Sequence, residues 1–339
     1  MPPPIIPAAP DPIARMTREK HLWAPDPIAR MTREVTNWSA EFAVENTKNS
    51  YGTYKKQLRE HCVEEGVSSF PAHPATVANF LMKLTKKGLC VSTIKLARSA
   101  INSEYKSRDD LVSPTHSAIV ETTMEVVKRV AKPAGPGKLP IPVEMIAGFA
   151  LDVNFSVENP PSFVEVCNVF VMILMMAGFL RESEATELEV VDVWLEHIEE
   201  DDMLYVYVGK SKTDQGRRGH TIVIGAAQHF PNICPILWFK TYTNMRPKNA
   251  AKFFCKPNGE RLATTEPNKI LKKLLRSRPE IDASLYGSHS LRKEGCSKAA
   301  AAGVSLTLLK RHGNWKSDAI FIYIKNSLAE RLSVTQSLL

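Results

Sequence analysis

A proline- and glycine-rich segment, KPAGPGKLPIP at residues 132–142, is the feature that most constrains how this chain of 339 residues can fold. Proline lacks the backbone N–H that a helix needs, so four prolines and two glycines within eleven positions cannot continue a helix. The chain is long enough for two domains that each bury a core. We therefore predict a linker at 132–141 between one domain at 35–131 and another at 142–339.

Residues 1–34 are predicted to form a disordered tail. The tail opens with the proline-rich stretch MPPPIIPAAP, and the nonapeptide DPIARMTRE then occurs twice, at 11–19 and 26–34. Two copies are too few for a repeat solenoid. A disordered arm with short helical pieces is the interpretation that this composition favours.

The segment 35–131 has the hydrophobic periodicity of short helices joined by tight turns, which predicts a small bundle. Proline early in a helix and glycine after it mark one of these helices between Pro74 and Gly88. Apolar stripes that should face the core are carried by three of the helices: Val77, Phe80, Leu81 and Leu84; Ile94, Leu96 or Ala97, and Ile101; and Ile119, Met124 and Val127.

The segment 142–339 is predicted to be mostly helical with one β interruption. A buried helix runs from Phe163 to Leu180, and DMLYVYVGK and HTIVIG form the strands of a hairpin around SKTDQGRRG. Further helices are expected around 235–246, 266–277, 290–302, 305–312 and 317–325, followed by the amphipathic segment LAERLSVTQSLL. The predicted fold class is mainly α with a small β-hairpin or sheet.

Composition favours an intracellular protein with a polyanionic partner. The formal net charge of +8 suits nucleic acid, because Lys and Arg release counterions when they neutralise phosphates. The six cysteines show no CxxC pair, which argues against a zinc module or a disulfide framework. No apolar run reaches the length of a membrane span. We expect the protein in the cytoplasm or nucleoid of a prokaryote, or in the nucleus of a eukaryote.

Three segments of the second domain combine residues that can act on a phosphate. They are GFLRESEATEL with Arg181 and Glu184, HSLR with His289 and Arg292, and HGNWKSDAIFIYIKN with Trp315 and Tyr323; Lys212 lies in the hairpin between the first two. Taken singly, each has an ordinary explanation, since an arginine after a buried helix is usually a surface residue and aromatic residues on an apolar helix are usually core. The ordered set favours a catalytic site.

The combination suits attack of a tyrosine oxygen on a DNA phosphodiester. Two permanently ionised guanidiniums can hold the non-bridging oxygens of the phosphorane. A hairpin lysine can protonate the leaving 5′-oxygen, a histidine can accept or share the tyrosine proton, and an indole N–H adds a further donor. Arginines would replace the charge stabilisation that Mg²⁺ supplies elsewhere, so we predict no metal, no ATP and no cofactor.

These segments resemble the tyrosine recombinase (phage integrase) family, whose signature is Arg, Glu, Lys, His, Arg, His or Trp, and Tyr in that order. The resemblance covers about residues 40–330, and the spellings WKSDAIFIYIK and KTDQ are similar to Cre and to recombinases of eukaryotic DIRS and Crypton elements. By position it implies phosphate-clamping arginines at Arg181 and Arg292, a supporting acid at Glu184, a general acid at Lys212, a general acid/base partner at His289, the sixth signature residue at Trp315 and the nucleophile at Tyr323.

The resemblance further implies a site-specific recombinase that forms a covalent 3′-phosphotyrosine intermediate. A helical core-binding domain and a mixed α/β catalytic domain would close as a clamp around double-stranded DNA. One site would bind a dimer, and two sites a homotetramer linked by exchange of the C-terminal helix, which carries Leu328, Leu332, Val334 and Leu338. Candidate DNA contacts are Lys83, Lys86, Lys87, Ser92, Thr93, Lys95 and Arg98 in the first domain and Arg217, Arg218 and Lys316 in the second.

Several alternatives stay open at the level of sequence. Lys210 competes with Lys212, because a register slip in the hairpin would exchange them. His312 competes with Trp315 for the sixth signature position. A solvated basic face is the alternative for the first-domain contacts. A domesticated DNA-binding protein, a type IB topoisomerase-like strand transferase and a helical interaction protein are the alternative functions.

Overall fold

The computed structural model describes residue 31 and residues 45–106, 108, 111–135, 137–153, 155–156, 158–209, 218–324 and 328–337. The chain divides into two compact units, Met1–Pro136 and Gly137–Leu339. The predicted tail with its duplicated nonapeptide lies outside the described residues apart from Met31.

The described part of the first unit is a bundle of helices. Its α-helices are α1 (Glu45–Glu64), α2 (Pro74–Lys86), α3 (Val91–Asn102) and α4 (Ala118–Val130). The start of α2 follows from its sequence, because the His73 side chain accepts a hydrogen bond from the Ala75 N–H and Pro74 occupies the first turn. A 3₁₀ turn over Pro114–His116 precedes α4, so the predicted fourth helix begins later than its proline suggested.

The core of the first unit is built from the predicted stripes; the structure decides one open alternative and differs from the prediction at one residue. Ala97 is buried and Leu96 is 37% exposed, which decides between the two candidates in α3. The prediction that Ile119 faces the core is wrong, because Ile119 is 49% exposed and Val120 is buried beside Met124. Helical rotation explains the change, since Val120 and Met124 are one turn apart and share a face.

The second unit is mainly helical with a small sheet. Its α-helices are α5 (Val143–Leu151), α6 (Phe163–Ala177), α7 (Glu182–Glu187), α8 (Pro235–Met245), α9 (Glu266–Arg276), α10 (Ser288–Ala301), α11 (Leu306–His312) and α12 (Leu328–Gln336). Helix α6 is the central element, with ten of its fifteen residues buried in the main core. This confirms the reading of its apolar run as a buried helix.

Helix α6 ends three residues before the predicted Leu180. Gly178 terminates the helix, and its N–H donates to the Leu174 carbonyl oxygen. Phe179 then takes a φ of 49°, in the left-handed region that non-glycine residues seldom adopt. This turn releases the chain from the core and leads it to Arg181.

The sheet is antiparallel with the order β1–β2–β3. Strands β2 (Asp201–Val208) and β3 (His220–Ile224) form the predicted hairpin, with Val206 opposite Ile222. Strand β1 (Val193–Ile198) was not predicted and pairs with the other edge of β2. The combination of helices and one three-stranded sheet confirms the predicted fold class.

The segment predicted as a helix at 317–325 is shorter and tighter than expected. It forms a 3₁₀ helix over Asp318–Ile322, and Tyr323 follows it directly. Ile320 is its buried apolar side chain, whereas Phe321 and Ile322 are 56% and 72% exposed. With so little apolar surface against the core, burial does not favour extension of this turn into a longer α-helix.

Close packing between α6 and α10 depends on Gly295. A Cβ atom at this position would overlap the carbonyl oxygen of Met176 and lie 2.8 Å from the ring of Phe179. Both neighbours belong to the turn that ends α6, so a side chain at 295 would push α10 away from that turn.

We therefore expect Gly295→Ala to lower the free energy of unfolding of the second unit by about 2–3 kcal/mol, through overpacking. Gly148→Ala in α5 is the matched control, because its Cβ would meet Arg278 Nη2 at an ordinary 3.8 Å. The control should be neutral or stabilising by up to about 1 kcal/mol. Urea unfolding measures both, and equal effects of the two substitutions would contradict the packing argument.

Candidate active site

Helix α10 carries two of the predicted site residues in its first turns. Their spacing of three residues places His289 and Arg292 on one helical face. The helix start is braced by Ser290, whose Oγ accepts a hydrogen bond from the Gly287 N–H at 3.0 Å. Arg292 is 1% exposed, while His289 keeps an exposed surface. The helix therefore holds its arginine in the interior and its histidine at the boundary with solvent.

Glu184 lies between the two predicted arginines. Its carboxylate accepts a hydrogen bond from the Arg181 backbone N–H at 2.8 Å and forms an ion pair with the Arg181 guanidinium. Its Oε2 also lies 3.6 Å from Arg292 Nη1. Glu184 is 4% exposed, so its charge is balanced by neighbouring cations instead of water. Two guanidiniums around one carboxylate leave this cluster with a net positive charge.

The Arg292 guanidinium is also held by two backbone carbonyls and a ring. Nη1 donates to the Phe179 carbonyl oxygen, and Nη2 donates to the Gly313 carbonyl oxygen at 2.7 Å. The guanidinium carbon lies 4.2 Å from the centroid of the Trp315 ring, which is a cation–π contact. The buried Nε has no hydrogen-bond partner among the residues that the structure describes.

Burial lowers the pKa of Arg292 to about 10, and the charge of Arg181 acts in the same direction. The Glu184 carboxylate and the Tyr323 phenol, in its ionised form, raise the pKa of Arg292 and oppose this decrease. Arg292 is therefore protonated at neutral pH.

Trp315 and His312 have different surroundings. The Trp315 ring contacts the Tyr323 ring, with 5.4 Å between centroids, in addition to Arg292. His312 Nε2 lies 2.8 Å from the Ala177 carbonyl oxygen, and its ring packs edge-on against Phe179. Of the two candidates for the sixth signature position, Trp315 is thus the one that contacts both Arg292 and the tyrosine.

Tyr323 is half-buried at the edge of a small apolar cluster that contains Ile320 and Trp315. Its N–H donates to the Ile320 carbonyl oxygen at 2.8 Å, which continues the 3₁₀ turn. Its own carbonyl oxygen accepts a hydrogen bond from Ser297 Oγ at 2.6 Å. The structure therefore places Tyr323 in contact with Trp315, and Trp315 links it to the ion-paired group of Arg292, Glu184 and Arg181.

The predicted hairpin lysine, Lys212, its rival Lys210 and Arg217 lie outside the described residues. The strand ends next to the hairpin loop are described, and they adjoin the segment that carries Trp315. Asn314 Nδ2 lies 3.2 Å from Nδ1 of His220, the first residue of β3, which pairs with Val208 at the loop end of the hairpin. This contact places the loop end of the hairpin beside the segment of Trp315, whose ring covers Arg292.

The described candidate DNA contacts have different surroundings. Lys83 pairs with Glu64, and Arg98 pairs with Glu121. The hydroxyls of two further candidates lie near Cys90 Sγ, at 3.1 Å for Ser92 and 3.2 Å for Thr93. The remaining described candidates are exposed: Lys86, Lys87 and Lys95 in the first unit, and Arg218 and Lys316 in the second.

The environment of His289 favours its neutral form. Loss of hydration against the protein lowers the pKa of His289 below its ordinary 6.5, and the charges of Arg292 and Arg181 lower it further. The carboxylates of Glu182 and Glu184 raise it and oppose these effects in part. A neutral imidazole can accept a proton, which an imidazolium cannot.

Sequence reasoning missed the residues that hold the site through their backbones or through partners far along the chain. Phe179 and Gly313 act through their carbonyl oxygens, and Ser297 acts on the Tyr323 peptide. The sequence gives a weak signal for the first two, since each belongs to a glycine-containing turn next to a predicted site residue. It carries no signal for Ser297.

Within the described part of the chain, no cluster of three or more His, Cys, Asp or Glu side chains could hold a metal ion. Among the described helices, none combines the length and apolarity that a membrane crossing requires.

Comparison with known proteins relates the chain to recombinases. No family model matches it. A protein of Selenomonas ruminantium described as an integrase/recombinase XerD homolog is 22% identical over 289 residues, which are 81% of this chain and 79% of that protein.

Solved recombinase structures share the fold. XerH bound to its palindromic difH substrate superposes with a TM-score of 0.59 at 17% identity, over 85% of this chain and 78% of that one. The Tn1549 integrase with transposon right-end DNA gives 0.60 at 15% identity, over 91% and 99%. A lambda integrase dimer bound to a COC′ core site gives 0.54 at 16% identity, over 93% and 81%.

The environment of His289 predicts a pH titration. Its imidazole should titrate below pH 6.5, and Arg181→Gln should raise the midpoint by removing a positive charge. Just below pH 6.5, His289 binds more protons in the unfolded state than in the folded state. This histidine therefore lowers the free energy of unfolding as pH falls below 6.5, and has no such effect above that pH. NMR of the histidine ring protons, assigned with His289→Gln, measures the midpoint.

Lys256→Gln is the control for this titration, because it removes a charge from a side chain whose ion-pair partner is the solvent-exposed Glu260. It should leave the His289 midpoint unchanged. A midpoint at or above 6.5, or one that Arg181→Gln does not raise, would contradict the electrostatic account.

Proposed function

Because the chain belongs to the tyrosine recombinase and integrase family, we propose that it is a site-specific DNA recombinase. It cleaves and rejoins DNA strands through a covalent 3′-phosphotyrosine intermediate on Tyr323, without a metal ion or ATP. The observation that carries this proposal is the buried arginine cluster around Glu184, which meets Tyr323 through the ring of Trp315.

In this proposal Arg181 and Arg292 stabilise the charge that develops on the scissile phosphate. Donors that are fixed before the reaction need no reorganisation in the transition state, which makes them effective electrostatic catalysts. Arg292 meets this condition, because two carbonyls and Glu184 already hold its guanidinium. A phosphate oxygen would also supply an acceptor for its unpartnered Nε–H.

The bond changes of cleavage are a transesterification. The Tyr323 oxygen forms a bond to phosphorus as the bond from phosphorus to the 5′-oxygen breaks. The tyrosine proton passes to neutral His289, and Lys212 protonates the departing 5′-oxygen. Rejoining reverses these steps with a 5′-hydroxyl as the nucleophile, so no external energy source is required.

The first unit supplies contacts to the DNA backbone. Lys86, Lys87 and Lys95 are exposed and can neutralise phosphates directly. Lys83 and Arg98 would first exchange their carboxylate partners for phosphate, so each gains less from binding than an unpaired cation. Ser92 and Thr93 can donate hydroxyl hydrogen bonds at the start of α3. These contacts position the protein and leave base recognition to the grooves.

In the second unit, Arg217, Arg218 and Lys316 would contact phosphates beside the active site. Arg217 and Arg218 follow Lys212 in the sequence of the hairpin segment, and Lys316 follows Trp315 directly. A clamp of both units around the duplex is the arrangement we propose for the complex. The enzyme would act where its DNA is, in the cytoplasm or nucleoid of a prokaryote or in the nucleus of a eukaryote.

For assembly we propose a dimer on one DNA site and a homotetramer on two. Helix α12 would dock onto the neighbouring protomer, and Leu332, which is 47% exposed in the single chain, would be covered there. The side chains of Leu328, Val334 and Leu338 lie outside the described residues. Among the related structures, the lambda integrase is a dimer on its core site.

Covalent trapping tests the proposed nucleophile. Cleaved sites selected from a randomised duplex library provide a nicked suicide substrate, which is incubated with the protein in EDTA. We expect an adduct that survives SDS, and none with Tyr323→Phe, because phenylalanine has no attacking oxygen. Tyr286→Phe, from the segment before α10, is the matched control and should form the adduct. An adduct with Tyr323→Phe, or none with the unaltered protein, would contradict the proposal.

Replacement of the buried arginine separates catalysis from binding. We expect Arg292→Ala to keep DNA affinity within about tenfold while cleavage falls by roughly three orders of magnitude or more, since a clamp on developing charge acts mainly in the transition state. Arg276→Ala, at the exposed end of α9, is the control and should cleave normally. Titration of labelled DNA and single-turnover cleavage measure the two quantities. Equal losses of affinity and cleavage would contradict this role.

A further inference from the structure

Ser297 connects the helix of the arginine to the segment of the tyrosine. Its Oγ donates a hydrogen bond of 2.6 Å to the carbonyl oxygen of Tyr323. Ser297 lies in α10, five residues after Arg292, so a single rigid helix carries both the buried guanidinium and this hydroxyl. Serine hydroxyls within helices commonly bond to a carbonyl one turn back. This one reaches a residue 26 positions further along the chain.

The tyrosine segment is a weak structural element by itself. The 3₁₀ helix of Asp318–Ile322 has five residues, and the N–H groups of Tyr323 and Ile324 both donate to the carbonyl oxygen of Ile320. Hydrogen bonds in such turns have poor geometry, and short 3₁₀ pieces depend on their surroundings for stability. Ile320 anchors the segment by burial. The Ser297 hydroxyl adds a directional hydrogen bond after that anchor.

The bonded group is the peptide of the tyrosine itself. A peptide unit is planar, so fixing its carbonyl restricts the backbone at Tyr323 and with it the direction of the Cα–Cβ bond. The phenol ring then lies 5.4 Å from the Trp315 ring, which in turn covers Arg292. The hydroxyl of Ser297 is thus bonded to the backbone of the tyrosine and not to its phenol oxygen.

We propose that Ser297 is a positioning residue for strand cleavage: its hydroxyl holds the Tyr323 peptide so that the phenol stays on the arginine side of the site. This inference rests on the proposed function. Loss of the hydrogen bond lets the phenol sample positions from which it cannot attack, and such misplacement slows the chemical step. DNA affinity should not change, because the tyrosine contributes to the reaction more than to binding.

The first experiment compares Ser297→Ala and Ser297→Thr in the full chain. With the suicide substrate at saturating protein, we expect Ser297→Ala to slow single-turnover adduct formation about threefold to tenfold, as the loss of one neutral hydrogen bond implies. DNA affinity should stay within about twofold of that of the unaltered protein. Ser297→Thr retains the hydroxyl and should restore the rate. Alanine favours helix, so the Ser297→Ala variant should fold.

The second experiment asks whether Ser297 acts through the tyrosine or through the arginine helix. DNA that ends in a 3′-p-nitrophenyl phosphate lets a 5′-hydroxyl attack phosphorus and expel p-nitrophenolate, so strand joining no longer needs the tyrosine. Tyr323→Phe and the double variant Tyr323→Phe/Ser297→Ala should join this DNA at the same rate. A role in supporting Arg292 would instead slow joining in the double variant.

The outcomes separate this inference from the function on which it rests. No adduct with the unaltered protein would overturn the proposed function. A normal adduct rate for Ser297→Ala, slow cleavage by Ser297→Thr, or slower joining in the double variant would overturn the role of Ser297 and leave the recombinase proposal standing.

Discussion

The buried carboxylate of Glu184 between two guanidiniums is the interaction on which the rest of this site depends. Two arginines brought together repel each other, and a buried guanidinium without a counter-charge loses more in hydration than packing returns. Glu184 satisfies Arg181 through its backbone and side chain and reaches Arg292 in a different helix. These two ion pairs therefore require the turn after α6, helix α7 and the start of α10 to keep fixed positions relative to one another. In this protein the packing of the core therefore also fixes where the two guanidiniums lie.

Arg292 extends this constraint to the tyrosine. Its guanidinium is held by the carbonyls of Phe179 and Gly313, which belong to two separate turns, and the Trp315 ring covers it. The two carbonyls have a structural role, since a buried arginine needs acceptors for its N–H groups. The tyrosine beside Trp315 therefore lies near a guanidinium whose orientation is already fixed. A basic chain with ordinary composition can thus concentrate positive charge at one point.

Prediction from the sequence worked best where structure is local. The helical periodicity of α2 identified its buried side chains, and the alternation of β2 and β3 identified the hairpin, because both patterns depend on neighbours within a few residues. Prediction failed where packing or pairing with residues distant in the sequence decided which side chain is buried or which segment is a strand. Ile119 was expected in the core, but the rotation of α4 places Val120 there. Strand β1 was missed because its own sequence does not indicate a strand, and pairing with β2 makes it one.

The sequence by itself determined which chemical groups are available and in what order: two arginines, a glutamate, a histidine, a tryptophan and a tyrosine, with His289 and Arg292 on one helical face. The tertiary structure alone decided their surroundings. It placed His312 against the Ala177 carbonyl and Trp315 against Arg292, although the two lie three residues apart. It also paired Lys83 and Arg98 with carboxylates. The physical reason is that burial, ion pairing and hydrogen bonding depend on partners far along the chain, and local spacing does not specify which partners meet.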